Sequence, residues 1–188
     1  SNAAVSDQFV LTVINTNDAP EITSTAVTSV NEDSSYSYTV TTSDDDGETV
    51  TLTGTIVPSW LTFTASTGAL TGTPTNDHVG SHSVVITASD GTASVTDAFT
   101  IVVANTNDAP SAGADQTGSV TEDASTTTAT GTVAGTDVDS GDTLTYSLSG
   151  SSGSTYGSFA LTASSGAWTY TLDNSDADTT ALDAGDSV

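Results

Sequence analysis

Apolar residues recur at every second position in short runs along this chain. Phe9, Leu11 and Val13 form one such run, and Tyr36, Tyr38 and Val40 another. Val84, Ile86 and Ala88 repeat the rhythm, followed by Phe99, Ile101 and Val103. Threonine and valine are abundant between them, and a period of two with such residues predicts half-buried β-strands. Turn signals punctuate the runs at Asp46-Gly47, Thr67-Gly68, Asp90-Gly91, Ser140-Gly141 and Ser165-Gly166. No window carries a capped apolar stripe at helical spacing. The pattern predicts an all-β chain.

The pattern also repeats. Residues 8–20 (QFVLTVINTNDAP) return at 98–110 as AFTIVVANTNDAP, so that Asn17 recurs 90 residues later as Asn107. That period is the length of one small β domain, and it predicts an array of duplicated modules. Short strands at this spacing predict one sandwich of the immunoglobulin type per repeat. Residues 1–3 resemble an expression-tag remnant. Residues 4–16 read as the terminal strand of a preceding repeat, 17–107 as a complete domain, and 108–188 as a second domain lacking its final strand. Asp186-Ser187-Val188 resembles Ser94-Val95, the point where the closing strand of the first domain begins. A spare strand and an unfinished sheet in one chain predict head-to-tail strand exchange, with Val5–Val13 of one molecule completing the second domain of another. The alternative is a second domain that stands without its edge strand or is partly disordered.

Charge narrows the function. The 188 residues include 24 Asp plus Glu, no Lys or Arg and 2 His, for a formal net charge of −24. No carboxylate has a permanent cation to pair with, and clustered ones repel unless solvent, salt or metal screens them. Nucleic acid and anionic membranes need basic patches and are excluded as partners. Catalytic schemes using Lys or Arg, and lysine isopeptide cross-links, are excluded too. Zero cysteine removes disulfides, which leaves divalent metal as the staple open to an exported protein. No stretch is long and apolar enough for a membrane helix.

The acids are clustered. Asn-x-Asn-Asp-Ala-Pro occurs at Asn15, Asn17, Asp18 and at Asn105, Asn107, Asp108; Asp-x-Asp occurs at Asp44, Asp46 and at Asp137, Asp139. A Glu-Asp pair recurs as Glu32-Asp33 and Glu122-Asp123, and Asp90 stands in Ala-Ser-Asp-Gly. Such turns mix carboxylate, amide and backbone oxygens, the ligand set of Ca²⁺. Transition metals are poorly served, with two histidines as the only softer ligands.

The Asn-Thr-Asn-Asp-Ala-Pro segments resemble the inter-repeat linker of cadherins. Trp60-Leu61 through Leu70-Thr71-Gly72-Thr73-Pro74 resembles a dystroglycan-type cadherin-like domain. Gly118-Ser119-Val120-Thr121-Glu122-Asp123 through Gly166-Ala167-Trp168-Thr169-Tyr170 resembles a VCBS-type repeat. Arrays of both kinds occur in large secreted bacterial adhesins of the RTX group, as Ca²⁺-stiffened extender modules. The resemblance implies tandem Greek-key β-sandwiches, immunoglobulin-like and cadherin-like, on the bacterial cell surface. It implies a lower junction site built from Glu32, Asp77, Asn105, Asn107, Asp108, Asp137 and Asp139. It implies an upper site built from Asn15, Asn17, Asp18, Asp44, Asp46 and Asp90, weaker for want of its preceding domain. The linkers depart from the cadherin pattern in Ala19 and Ala109, where a further Asn is usual, and in Asn15 and Asn105, where an Asp is usual.

For each acid the competing reading is a solvated turn residue. For Glu122-Asp123 that reading is preferred; for the lower junction, metal is. Halophilic adaptation would explain the net charge but not its clustering. His78 and His82 precede and enter a predicted strand, which favours surface positions over a zinc site. Nothing resembles a nucleophile elbow, and paired carboxylates without a cleft do not suggest a glycosidase. Trp60 and Trp168 read as core plugs, although an exposed Trp could stack on sugar. The sequence therefore predicts a non-enzymatic, Ca²⁺-stiffened stalk segment of a secreted adhesin, partnered by neighbouring repeats. The alternatives are a carbohydrate- or protein-binding module, or an accessory domain of a secreted polysaccharide-degrading enzyme.

Overall fold

A computed structural model describes residues 4, 6–150 and 153–181. Residues 1–3, Val5 and Asp186-Ser187-Val188, on which the tag, strand-exchange and missing-strand expectations partly rest, lie outside them. The chain divides into two compact units, Ser1–Thr106 and Asn107–Val188.

The first unit holds nine strands: β1 (Glu21–Ile22), β2 (Ser29–Asn31), β3 (Tyr36–Thr39), β4 (Thr42–Ser43), β5 (Thr51–Ile56), β6 (Leu61–Thr64), β7 (Ala69–Gly72), β8 (Gly80–Ser89) and β9 (Ser94–Ala104). They form a four-stranded sheet in the order β2-β9-β8-β5, a three-stranded sheet β3-β7-β6 and the small ribbon β1-β4. All pairings are antiparallel except β2 with β9, which is parallel. The one helical element among the described residues is a 3-10 turn, Asn76–His78.

Alternation along the strands builds the core. On β8 the residues Val84, Ile86 and Ala88 are buried while their neighbours face outward, and β9 contributes Ile101 and Val103. Across the sandwich they meet Tyr36 and Tyr38 of β3, Val40, Trp60, Leu61 and Leu70. Tyr36 meets Trp60 edge-on with ring centroids 5.8 Å apart, and Tyr38 meets Phe99 likewise at 5.7 Å. The Tyr36 hydroxyl donates to the Val27 carbonyl at 2.7 Å. Burial, with the neighbouring Tyr38, pushes that phenol up to about 12.

The second unit holds β10 (Ser111–Ala112), β11 (Thr128–Thr132), β12 (Gly135–Thr136), β13 (Gly153–Ser154), β14 (Gly157–Leu161) and β15 (Ala167–Leu172). Its main sheet runs β11-β15-β14-β13, beside the ribbon β10-β12. Strand for strand, β10 and β12 repeat β1 and β4, and β11-β15-β14 repeats β3-β7-β6. The turns agree as well. Gly68 before β7 and Gly166 before β15 both adopt φ of +69°, and their carbonyls accept from Val40 N–H and Val133 N–H, each at 2.9 Å. A Cβ on either would fall within 2.4 Å of a backbone carbonyl oxygen, so only glycine fits.

Core bulk is distributed differently. In the first unit Tyr38 pairs with Leu70; in the second, the equivalent pair is Gly131 with Trp168. The indole lies over Gly131, where an added Cβ would come within 2.6 Å of it, and stacks on Phe159 at 5.6 Å. Volume lost from one strand is restored from its partner. Both tryptophans are buried, at 9% and 7% exposure, as the core-plug reading expected.

Among the described residues, the strand expected at residues 4–16 has no ladder partner. Phe9, Val10, Leu11, Val13 and Ile14 are 79–93% exposed.

Candidate metal centre

Both units present the same acidic loop, made by the same short-range rules. In the first, Asp44 Oδ1 accepts the Asp46 N–H at 3.0 Å, closing a turn that Gly47 completes at φ of +78°. In the second, Asp137 Oδ1 accepts the Asp139 N–H at 2.9 Å, and Gly141 follows at φ of +101°. Side-chain carboxylates that cap their own turns in this way need no partner from outside the loop.

The linker docks on each loop identically. Asp18 N–H donates to Asp46 Oδ2 at 2.6 Å, and Asp108 N–H donates to Asp139 Oδ2 at 2.6 Å. Asn17 and Asn107 each donate from Nδ2 to the carbonyl of the following Asp, at 2.7 and 2.8 Å. The repeat seen in sequence is thus a repeat in hydrogen bonding.

Within the first unit Asn15 Nδ2 donates to Asp46 Oδ1 at 2.7 Å, and Asn17 Nδ2 donates to Asp90 Oδ2 at 3.1 Å. Asp90 Oδ1 also accepts the N–H groups of Thr92 and Ala93, both at 2.6 Å. The Asn15 amide and Asp18 N–H hold the Asp46 carboxyl below its ordinary range. The Ala93 and Thr92 N–H groups, with Asn17, do the same for Asp90. Expected upper-site residues Asn15, Asn17, Asp18, Asp44, Asp46 and Asp90 are therefore joined by one hydrogen-bonded loop system.

Carboxylate oxygens of Asp44, Asp46 and Glu48 lie within 4.8 Å of one another, as do those of Asp137, Asp139 and Asp142. Desolvation, followed by the charges of Asp46 and Asp44, pushes the Glu48 carboxyl up. Glu48 and Asp142 went unrecognised in the sequence. A signal was available: each follows the positive-φ glycine in Gly47-Glu48-Thr49 and Gly141-Asp142-Thr143.

Of the residues assigned to the lower junction, Glu32 sits at the foot of the first unit. It is 1% exposed, its N–H donates to the Ala104 carbonyl at 3.0 Å, and its Oε1 accepts the Thr106 N–H at 2.6 Å. Asp77 stands exposed in the 3-10 turn, outside the converging acidic groups. Asn105 and Asn107 are exposed, Asp108 and Asp137 half-buried, and Asp139 6% exposed.

Among the described residues, two buried carboxylate oxygens, Glu32 Oε2 and Asp44 Oδ2, have no hydrogen-bond donor. Buried carboxylate oxygens are normally satisfied by donors or cations, and the chain has no Lys or Arg to supply one. An all-oxygen donor set with unsatisfied buried atoms fits a hard divalent cation.

The histidines belong to the core margin. His82 Nε2 donates to the His78 carbonyl at 2.6 Å, and both rings lie against Trp60.

Residues 19–104 match the family described as "Putative Ig domain", and residues 107–187 match the family described as "Bacterial cadherin-like domain". The chain is all-β, with tandem immunoglobulin-like and cadherin-like β-sandwich domains. Among solved structures it is similar to human protocadherin-24 EC1-2 in its second crystal form, at 21% identity and a TM-score of 0.55. That match covers 85% of this chain and 81% of the other. The first form matches at 20% identity and 0.51, over 84% and 80%. The chain is also similar, over 47% of its length, to an endo-fucoidan hydrolase of glycoside hydrolase family 107, at 32% identity and a TM-score of 0.41; the match covers 14% of the hydrolase. No curated protein matches the chain. No helix of the described residues is long and apolar enough to cross a membrane.

Proposed function

We propose that this chain is a non-catalytic, Ca²⁺-stiffened extender segment of a secreted bacterial surface adhesin. The observation that carries the reading is the pair of buried, donor-free carboxylate oxygens on Glu32 and Asp44 in a chain with no Lys or Arg. The identical docking of each linker Asp on the second carboxylate of its Asp-x-Asp loop supports it. Ca²⁺ supplies charge neutralisation and additional bonds to oxygens that otherwise repel. Glu32, Asn105, Asn107, Asp108, Asp137, Asp139 and Asp142 would hold it at the lower site, with Asp77 as a peripheral acid. Asn15, Asn17, Asp18, Asp44, Asp46, Glu48 and Asp90 would hold it at the upper one.

The mechanism is mechanical. Without metal, like charges separate and the linker bends; with it, the linker is fixed and the array extends. Dissociation constants of about 10⁻⁴–10⁻³ M suit an extracellular module. The buried positions of Trp60 and Trp168 leave neither indole as a stacking platform for sugar.

Small-angle scattering with matched thermal melts tests this, first in EDTA and then with Ca²⁺ raised to millimolar levels. A longer, narrower particle and a higher melting temperature are expected, with Asp108→Ala losing the change in shape while both sandwiches remain folded. No response in either observable would reduce the acids to a solvated surface and end the stalk reading.

A further inference from the structure

The two edges of β9, which is 11 residues long, are used unequally. Towards β8 it pairs without interruption from Ser94 to Val103. Towards β2 it pairs only at Val102, Val103 and Ala104, and the Val102 N–H donates to the Thr28 carbonyl at 2.9 Å. Backbone groups facing one edge of a strand recur at every second residue. Thr96 and Ala98 therefore turn their N–H and C=O groups the same way as Val102, and among the described residues no strand meets them there. Long flat edges are normally blunted. The opposite edge of this sheet is, by the register shift of β5 between Gly54 and Ile56. The β9 edge carries no bulge, Lys or Pro.

Beside the open edge lies a groove of about 460 Å³, between residues 20–26 and Val95-Thr96-Asp97. Ile22 and Ala26, which also pack against the core, give it an apolar floor with Val95. Asp97 lines it from the inner face of β9, in phase with Val95, Phe99 and Ile101. Its side chain is half-buried and accepts no hydrogen bond among the described residues. Glu21 stands exposed on the other wall. An inward-facing carboxylate on an edge strand discourages pairing, because an incoming strand must bury it. It discourages a second copy of this chain most, since that copy has no Lys or Arg to discharge it. For a strand that brings a cation to this level, the same group is an anchor.

We propose that the open edge of β9 and this groove form a docking site for an extended basic peptide segment of another protein. The peptide adds as a strand beyond the end of β2 and exchanges main-chain hydrogen bonds with Thr96 and Ala98. Its side chains alternate, so an apolar residue lies over Val95, Ile22 and Ala26. Two residues along, a Lys or Arg reaches Asp97, and Glu21 adds to the attraction. The free stretch, residues 94–100, accommodates about seven residues, or roughly 23 Å at 3.3 Å per residue. Charge decides the occupant: the two acids select a basic strand and reject an acidic one. The site lies wholly within the first unit and uses none of the acidic-loop residues.

Titrating the whole isotope-labelled chain, in EDTA, with the end-capped peptide Thr-Val-Thr-Lys-Thr-Val-Thr tests this by amide chemical shift and hydrogen exchange. The Thr96 and Ala98 amides should shift and gain protection. A peptide with Glu in place of Lys should bind about tenfold more weakly, the scale of one charge-assisted hydrogen bond. Asp97→Asn should remove most of that preference while the chain stays folded. Ala98→Pro, which takes an N–H from the open edge and leaves the side towards β8 intact, should abolish binding. Methylating alternate peptide amides asks the same of the unmodified chain: one set should abolish binding and the other spare it. No shift at Thr96 and Ala98, equal binding of the Lys and Glu peptides, or a preference undiminished in Asp97→Asn would each overturn the proposal. Shifts at these amides that grow with protein concentration alone would overturn it too, by making the occupant a second copy. With EDTA present throughout, none of these outcomes bears on whether Ca²⁺ stiffens the linker.

Discussion

The two units share a loop and differ in a corner. Asp44-x-Asp46 and Asp137-x-Asp139 fold into superimposable hydrogen-bond patterns and receive Asp18 and Asp108 with the same 2.6 Å bond. Glu32 and Glu122 occupy equivalent positions after equivalent segments, yet one is sealed and the other half-open. The loop needs only residues within its own turn and the adjacent linker. The corner needs β9, more than 70 residues away in sequence. Local chemistry repeats faithfully; among the described residues, the long-range bond that seals the corner is seen in the first unit.

The largest expected effect tests the core on which each unit depends. Leu70→Ala in the first unit should cost about 2–5 kcal/mol, and Trp168→Ala at the equivalent place in the second about 3–5 kcal/mol. The outcomes should nevertheless differ. The first unit packs its three-stranded sheet against the four strands β2-β9-β8-β5, whereas the described residues of the second include no counterpart of β8 and β9. The second unit rests more of its described core on one side chain, because the Trp168 indole covers Gly131 and stacks on Phe159, so it should lose cooperative unfolding altogether on Trp168→Ala, while hydrogen exchange of β8 and β9 stays slow. If both variants merely shift their transitions by similar amounts, the two cores are equivalent and the comparison fails.

What could be read from sequence divides along the same line. The five turn glycines at 47, 68, 91, 141 and 166 were legible because a Gly after Asp, Thr or Ser states its own left-handed backbone. The strands around Tyr36, Val84 and Phe99 were legible because alternation is local. Pairing of β2 with β9 was not, since parallel partners leave no mark at a turn. Glu48 and Asp142 were overlooked for a different reason: the eye stops at Asp-x-Asp, although the turn continues through glycine and brings the next acid back to the cluster. The exchange of bulk from Tyr38 to Trp168 was also invisible, since it requires knowing which residues face one another.

An intermediate effect separates the corners. In EDTA, Glu32→Gln should melt at or above the unmodified chain. Glutamine keeps an acceptor for Thr106 N–H, and a buried charge with a donor-free oxygen is removed. In Ca²⁺ the order should reverse, because the variant forfeits the metal's contribution. That contribution is about 1.4 kcal/mol when Ca²⁺ is ten times its dissociation constant, or several degrees in a domain of this size. Glu122→Gln should leave the Ca²⁺ increment unchanged. Equal loss in both variants would mean that the two corners bind metal alike, and that burial of Glu32 has no bearing on it.

The smallest effect is titration of the first acidic loop. Asp46 is held below its ordinary range first by Asn15 and then by the Asp18 N–H; Asp90 is held there by Ala93 and Thr92 N–H with Asn17. For a carboxyl depressed on folding, the stabilisation is present above its unfolded value of 3.8 and disappears as pH falls through the lower, folded value. Glu48 is pushed the other way, by desolvation and then by Asp46 and Asp44, so its ionised form opposes folding and its protonation relieves the loop. Acidification should therefore act in two steps. Glu48 takes up its proton first, above 4.5, with the Asp18 amide still protected; the linker bonds to Asp46 and Asp90 release only below 3.8. Carboxyl and Asp18 amide chemical shifts followed from pH 6 to 2 would read both steps, and Glu48→Gln should erase the first alone. Release of the Asp18 amide in step with Glu48 would show that repulsion among the acids, rather than the carboxylate's hold on the linker N–H, controls this loop.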